Sequence, residues 1–336
     1  VYRDLTGSVP QEMLPSVFIA AAGEGPGVEA VASALRRGLA AFDTVHFIAR
    51  PPQPEVPGAH RGTDFIFAVE DGVAEGEVHL ELQHAASSQV LLSRRLATAG
   101  RDAAETDDEV ADILTLVAPA SGVIYATLAE NGVETPLIRC LVLNDVFYRN
   151  QSAERHKAAY TCFEELAAAD LKSPLVHSEL ASLHLQALTA SYDYPEQKST
   201  RLALQLARAS LQLGPSSPYA HRAMGYVLSR TVNAEESIRW TRRSYELNAF
   251  DLSMAAAYGY ALIFAGDYEH GTPVLHRAVT AASAHPPWWD YGLFLGQFML
   301  GEIREASRTV SALAAIRRGH YVAARLIVAD ALDDEA

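Results

Sequence analysis

Apolar and polar positions along this chain follow two different rules. Up to about residue 118 the spacing switches between the strand and helix periods. Ser16-Val-Phe-Ile-Ala20 is a short apolar run ended by Gly23-Glu-Gly-Pro-Gly27, the pattern of a buried strand leaving into a tight turn. Val28, Val31, Leu35 and Leu39 then fall on one helical stripe. Thr44–Ile48 reads as a second strand, closed by Arg50-Pro-Pro-Gln-Pro, which forbids regular structure until about Thr63. Asp64–Val69 is a third strand. Glu77–Gln83 alternates polar and apolar residues as a half-buried strand does, and Gln89–Leu96 is its hairpin partner across Ala85-Ala-Ser-Ser. Asp102–Ala118 is a helix with five acids before Val110, where the positive end of the helix dipole favours them. The order β-α-β-β-β-β-α predicts a small mixed sheet with helices packed on it.

Beyond residue 134 a fixed period takes over. Gly225, Gly259 and a helix opening at Trp289 are spaced about 34 residues apart. On that period Gly266 and Gly301 fall in the turn between paired helices. Ala203, Ser237, Gly271 and Ala306 share a small-residue position, and Ser210, Ser244 and Ala278 share a second. Small side chains are required where paired helices approach closely. The phasing predicts helix pairs over 136–169, 174–214, 218–249, 252–284 and 287–317, with a last helix from about 320. The fold class expected is therefore α+β, a mixed-sheet domain over 1–134 followed by an all-α helical repeat over 135–336.

Composition sharpens this picture. The chain has 57 Ala, the best helix former, and 24 Arg against three Lys. With 49% hydrophobic and 20% charged residues it matches globular proteins, excluding disordered, collagenous and disulfide-scaffold classes. No run approaches the roughly 20 apolar residues of a membrane helix, and no basic-then-apolar leader opens the chain. The start at Val1 rather than Met leads us to expect an excised fragment. Net charge is −12 over residues 1–134 and −2 over the remainder. A surface this acidic repels a phosphate backbone, so nucleic-acid binding by this chain is not expected. A basic partner would find the sheet domain.

Candidate chemistry is sparse. The Gly23–Gly27 turn lacks both the dinucleotide fingerprint and the P-loop lysine, and is read as structural. His177 and His184 can share a helix face, and His270 and His276 lie close together, but neither pair has the spacing of a metal motif. No catalytic motif with a mechanism is present, so neither a cofactor, a metal nor an enzymatic activity is expected. If 136–149 and 152–169 form an antiparallel hairpin, Cys140 comes within disulfide reach of Cys162. The pair is bridged in an oxidising compartment; otherwise it is two buried small residues. Tyr219, Tyr226, Tyr258, Tyr260, Trp288, Trp289 and Tyr291 recur near first-helix positions. Of these Tyr219, Tyr226, Tyr258, Trp288 and Trp289 are the candidate contacts for a partner or effector, since first helices line the groove of such a stack. The competing account packs the rings between neighbouring helices, and for Tyr258 and Trp289 it is the preferred one.

The two halves together resemble a known arrangement. Leu14-Pro-Ser-Val-Phe-Ile, Val28–Leu39, Asp43–Arg50 and Gly62-Thr-Asp-Phe-Ile-Phe-Ala-Val-Glu-Asp-Gly resemble the TolB amino-terminal-like domain of bacterial regulators. Glu77–Gln83 with Ser93-Arg-Arg-Leu matches its hairpin, and Asp107–Ile113 its closing helix. The period-34 units resemble tetratricopeptide repeats, and His285-Pro-Pro-Trp-Trp-Asp-Tyr-Gly looks like a late unit of that kind. Ala20-Ala-Ala-Gly-Glu-Gly departs from the family's usual segment after the first strand. The resemblance implies the sensory region of a winged-helix transcription activator, comparable in layout to the acid-sensing activator of lysine decarboxylase. Its partner would be a protein, a peptide or a small effector, bound in the repeat groove or at the domain junction, with a homodimer as a candidate assembly. A free-standing interaction scaffold is the alternative. Cytoplasm and periplasm are both compatible with the sequence.

Overall fold

The computed structural model describes residues 13–23, 25–49, 61–231, 233–282 and 284–334. The proline cluster at 50–54 and Glu24 of the first turn lie outside these residues. The sheet domain runs β1 (Ser16–Ala22), α1 (Pro26–Ala41), β2 (His46–Ile48), β3 (Asp64–Asp71), β4 (Glu77–His84), β5 (Gln89–Ala97), α2 (Ala103–Val117) and α3 (Val123–Glu130). Strand order is β2-β1-β3-β4-β5, parallel across the first three strands and antiparallel through the β3–β4–β5 meander. The pleat explains the alternation in the sequence. Phe65, Phe67 and Val69 of β3 and Val78, Leu80 and Leu82 of β4 all face the core, under the Val28, Val31, Leu35 and Leu39 stripe of α1.

α1 opens on Gly25 with Pro26 at its first position. A Cβ on Gly25 would lie 2.5 Å from the Asp71 carboxylate. An acid thus sits where a phosphate would have to bind, consistent with a structural turn. α2 opens on a capping box in which Asp102 Oδ1 accepts from Glu105 N at 2.9 Å and Glu105 Oε2 accepts from Asp102 N at 3.1 Å. The second strand begins at His46 rather than Thr44 for a local reason. Thr44 Oγ1 donates to Ala118 O at 2.9 Å, and its carbonyl accepts the Tyr125 hydroxyl at 2.6 Å. These bonds tie the residue to the α2–α3 connection.

Eleven helices follow among the described residues: α4 (Pro136–Arg149), α5 (Ala153–Ala168), α6 (Pro174–Thr189), α7 (Thr200–Leu213), α8 (Pro218–Ser229), α9 (Ala234–Leu247), α10 (Leu252–Phe264), α11 (Tyr268–Ala281), α12 (Pro287–Met299), α13 (Ile303–Ser311) and α14 (Gly319–Asp334). They form antiparallel pairs stacked side by side, a tetratricopeptide-like superhelix. Thr135-Pro136, Ser173-Pro174 and Ser217-Pro218 supply a capping hydroxyl followed by proline, which pre-sets the first helical residue.

The repeat glycines stand at helix crossings. A Cβ on Gly259 would lie 2.9 Å from Leu275 N and 3.0 Å from Gly271 O, both backbone atoms that a rotamer change cannot move. Gly259→Val is therefore expected to cost about 1–3 kcal/mol through overpacking. Urea denaturation would measure it; an unchanged midpoint would contradict close packing of α10 on α11.

Cys140 on α4 and Cys162 on α5 are joined in a disulfide, with Cα atoms 5.4 Å apart. Alkylation of the natively purified protein without reductant is expected to leave its intact mass unchanged, and two thiols should label after reduction.

The sheet and the repeat are not separate bodies joined by a thread. One continuous apolar cluster runs from Val17 and Phe67 through Val117, Ile124, Leu137, Phe147 and Leu180 to Tyr219 and Met254. A second contact comes from the far side of the superhelix. Asn248 Nδ2 donates to Ala41 O at 3.1 Å, Thr115 Oγ1 to Phe250 O at 3.4 Å, and Arg277 pairs with Asp108 at 2.6 Å. The α9–α10 turn and α11 thus close back onto α1 and α2.

Candidate functional site

This closure creates a cavity. First helices α4, α6, α8, α10 and α12, with the start of α14, present their inner faces to it. The sheet domain supplies the opposite wall through Thr44, Thr115, Leu116 and 119–121. Its volume is about 820 Å³, the size of sites that take one small molecule.

Its floor is a buried polar ladder crossing four successive first helices. Asn144 Nδ2 on α4 donates to Glu179 Oε2 on α6 at 2.8 Å. Arg222 on α8 donates to Glu179 Oε1 at 2.7 Å and to Ser253 Oγ on α10 at 3.2 Å. The same guanidinium lies 4.7 Å over the Tyr219 ring, whose hydroxyl donates to Asp251 Oδ2 at 3.1 Å. Burial alone would weaken the charge on Arg222, but Glu179, Tyr219 and Asp251 outweigh it and push its pKa up. The hydroxyls of Tyr219 and Tyr148 are pushed well above the usual range, chiefly by burial. These phenols are neutral donors, and Asn144 Oδ1 has no hydrogen-bond partner.

At the junction Ser217, which caps α8, donates its hydroxyl to Asp43 Oδ2 just after α1. Burial raises the Asp43 pKa to about 6. The Ser217 bond lowers it, Asp251 adds to the rise, and Arg222 opposes it.

The upper wall is aromatic. Tyr260 and Phe264 stack with centroids 4.2 Å apart, Trp288 meets Tyr260 edge-on at 5.1 Å, and Tyr291 contacts Phe264 and Tyr321. Arg230, the C-cap of α8, sits 6.0 Å over the Tyr226 ring. Arg318, just before α14, donates to the Tyr192 hydroxyl at 3.0 Å, linking the last helix to the loop after α6.

The sequence candidates divide. Tyr219, Tyr226, Trp288 and Trp289 all line the cavity, the first and last of them buried at its edge. Tyr258 does not. Two residues along a helix turn the side chain through about 200°, so with Tyr260 inward Tyr258 points out, stacked on Tyr245 and accepting from Arg242 Nε at 3.2 Å. Glu179, Arg222, Arg230 and Arg318 were not singled out in the sequence, since nothing in the local pattern around them marks them. The histidine pair on α6 borders a second hollow of about 650 Å³ beside α5 and α7. There His184 Nδ1 bonds the Tyr160 hydroxyl at 3.1 Å and its Nε2 accepts from Ser199 N at 3.2 Å, leaving no nitrogen for a metal. Among the described residues no group of three or more His, Cys, Asp or Glu side chains could hold a metal ion.

No protein-family model matches the chain, and no curated protein matches it. Among the solved structures that resemble it in part are two repeat proteins. One is a thermophilic tetratricopeptide-repeat protein of Thermus thermophilus, at 17% identity and a TM-score of 0.43, covering 58% of this chain and 97% of that one. The other is a tetratricopeptide-repeat protein of Parabacteroides merdae, at 14% identity and a TM-score of 0.39, covering 68% of this chain and 80% of that one.

Proposed function

We propose that this chain is the sensory region of a bacterial signalling protein, and that its effector binds in the cavity shared by the sheet domain and the repeat. The observation that carries this reading is the double origin of the wall. Thr115, Leu116 and 119–121 face the inner surfaces of α8, α10 and α12 across one space. A ligand there touches both parts at once, so its binding energy biases how they sit against each other. That differential contact is what a signal requires. The sequence resemblance supports a transcription activator as the whole protein, with a winged-helix output domain. The Cys140–Cys162 bridge supports an oxidising compartment such as a periplasm.

Hydrogen exchange in the presence of a panel of small anions, cations, neutral molecules and peptides tests this reading. A true effector is expected to protect α2–α3 and α8–α12 together. Protection of the repeat alone by every binder would overturn a junction site and favour a free-standing peptide scaffold.

A further inference from the structure

We propose that the cavity selects a small aromatic carboxylate. This rests on the cavity being the effector site and adds the chemistry of the effector.

Charge in the wall is the first ground. Three carboxylates line the cavity, and each is already held by donors of the protein. Asp145 pairs with Arg149, Glu179 with Arg222 and Asn144, and Asp251 accepts both the Tyr219 hydroxyl and Ser253 N. Two guanidiniums stand outside the ion pairs. Arg230 lies over the Tyr226 ring and bonds its hydroxyl, and Arg318 bonds the Tyr192 hydroxyl, with no ion pair to a carboxylate on either among the described residues. His320, beside Arg318, is held toward its neutral form by burial and then by that arginine, and adds no negative charge. The donors to Asp251 are neutral and leave its charge in place, so outside the ion pairs the wall carries two guanidiniums against one carboxylate, in a chain whose net charge is −14. Against that acidic background two unpaired arginines at one cavity mark a place for an anion, and the planar guanidinium fork matches a carboxylate.

Shape is the second ground. The same cavity carries the ring wall of Tyr260, Phe264 and Tyr291, and Phe264 is 49% exposed although it sits in a stack. A flat apolar body covers such a face by offset or edge contact. The Arg318–Tyr192 bond joins the last helix to the α6 loop, and the sheet domain stands opposite, which narrows the path a peptide would follow and favours a small molecule.

The test uses three probes with one ring system: 2-naphthoate, 2-naphthylmethylammonium and neutral 2-naphthylmethanol. Binding is read by calorimetry and by the fluorescence of Trp288 and Trp289 in the wall. Naphthoate is expected to bind at least about tenfold tighter than the ammonium probe, and more weakly as salt rises. Arg230→Gln and Arg318→Gln should each weaken naphthoate about tenfold and leave the neutral probe unchanged. Equal or tighter binding of the cation, naphthoate affinity indifferent to both substitutions, or no binding of naphthoate would each overturn the proposal. Wild-type protein alone decides the anion–cation comparison if a variant fails to fold. Protection of both parts by a cation or a neutral molecule in the exchange experiment would retain the effector site and reject only its anion preference.

Discussion

Glu179→Ala is expected to lower the unfolding free energy by about 3–5 kcal/mol, because it strands a charge inside the protein. Glu179 is 2% exposed and accepts from both Asn144 and Arg222. Its loss takes from Arg222 its one ion-pair partner among the described residues, leaving the Ser253 hydroxyl, the Tyr219 ring and the more distant Asp251, and leaves the buried Asn144 amide without its acceptor. The cost is that of unpaired buried groups, not the value of the ion pair itself. Removing both partners separates the two. Glu179→Leu with Arg222→Met keeps volume, removes both charges, and should recover most of the loss. Chemical denaturation of the two single variants and the double would show it. A double variant as unstable as Glu179→Ala would mean that the ladder holds the first helices in register by geometry that apolar packing cannot replace.

The ladder also shows where sequence reading stops. The helix pairs were legible because the period is written in residues with a local duty: Gly225 and Gly259 at crossings, and Gly266 and Gly301 at positive φ in the turns. The sheet strands were legible because one face is buried and the other wet. α3 was not foreseen: it is eight residues long, follows Gly122 and has no capping side chain. The aromatic wall was half legible. Ring positions can be counted along the chain, but whether Tyr258 or Tyr260 turns inward depends on the rotation of α10 against α11, which packing decides. Asn144, Glu179, Arg222 and Ser253 were not legible as a unit. They come from four helices and converge only once the superhelix has its curvature. The closure of α9–α10 onto α1 is likewise non-local, carried by Asn248 and Phe250, which have no motif of their own.

That closure carries the second large effect, a dependence on pH. Asp43 has a folded pKa of about 6 against an ordinary value of 3.8, a rise set first by burial. A raised carboxylate binds its proton more readily folded than unfolded. The stability it contributes is therefore full below about pH 4 and lost as pH rises through about 6. A shift of this size corresponds to about 3 kcal/mol. Histidines oppose it in the same window. His46, His156, His184, His221 and His320 are all held below their ordinary pKa, first by burial, so each loses stability on acidification. The wild-type curve alone mixes these opposing contributions. The difference between wild type and Asp43→Asn does not, because the histidines cancel. Relative to that variant, wild type is expected to gain about 2.4 kcal/mol between pH 7.5 and pH 4, measured by urea unfolding across the range. A flat difference would place Asp43 in contact with water. The gain comes from relief and not from a new bond: a protonated Asp43 no longer repels Asp251 and no longer needs solvation, while Ser217 still caps α8. Acid therefore stabilises the seam between α1 and α8, at the edge of the cavity where Tyr219 and Asp251 meet.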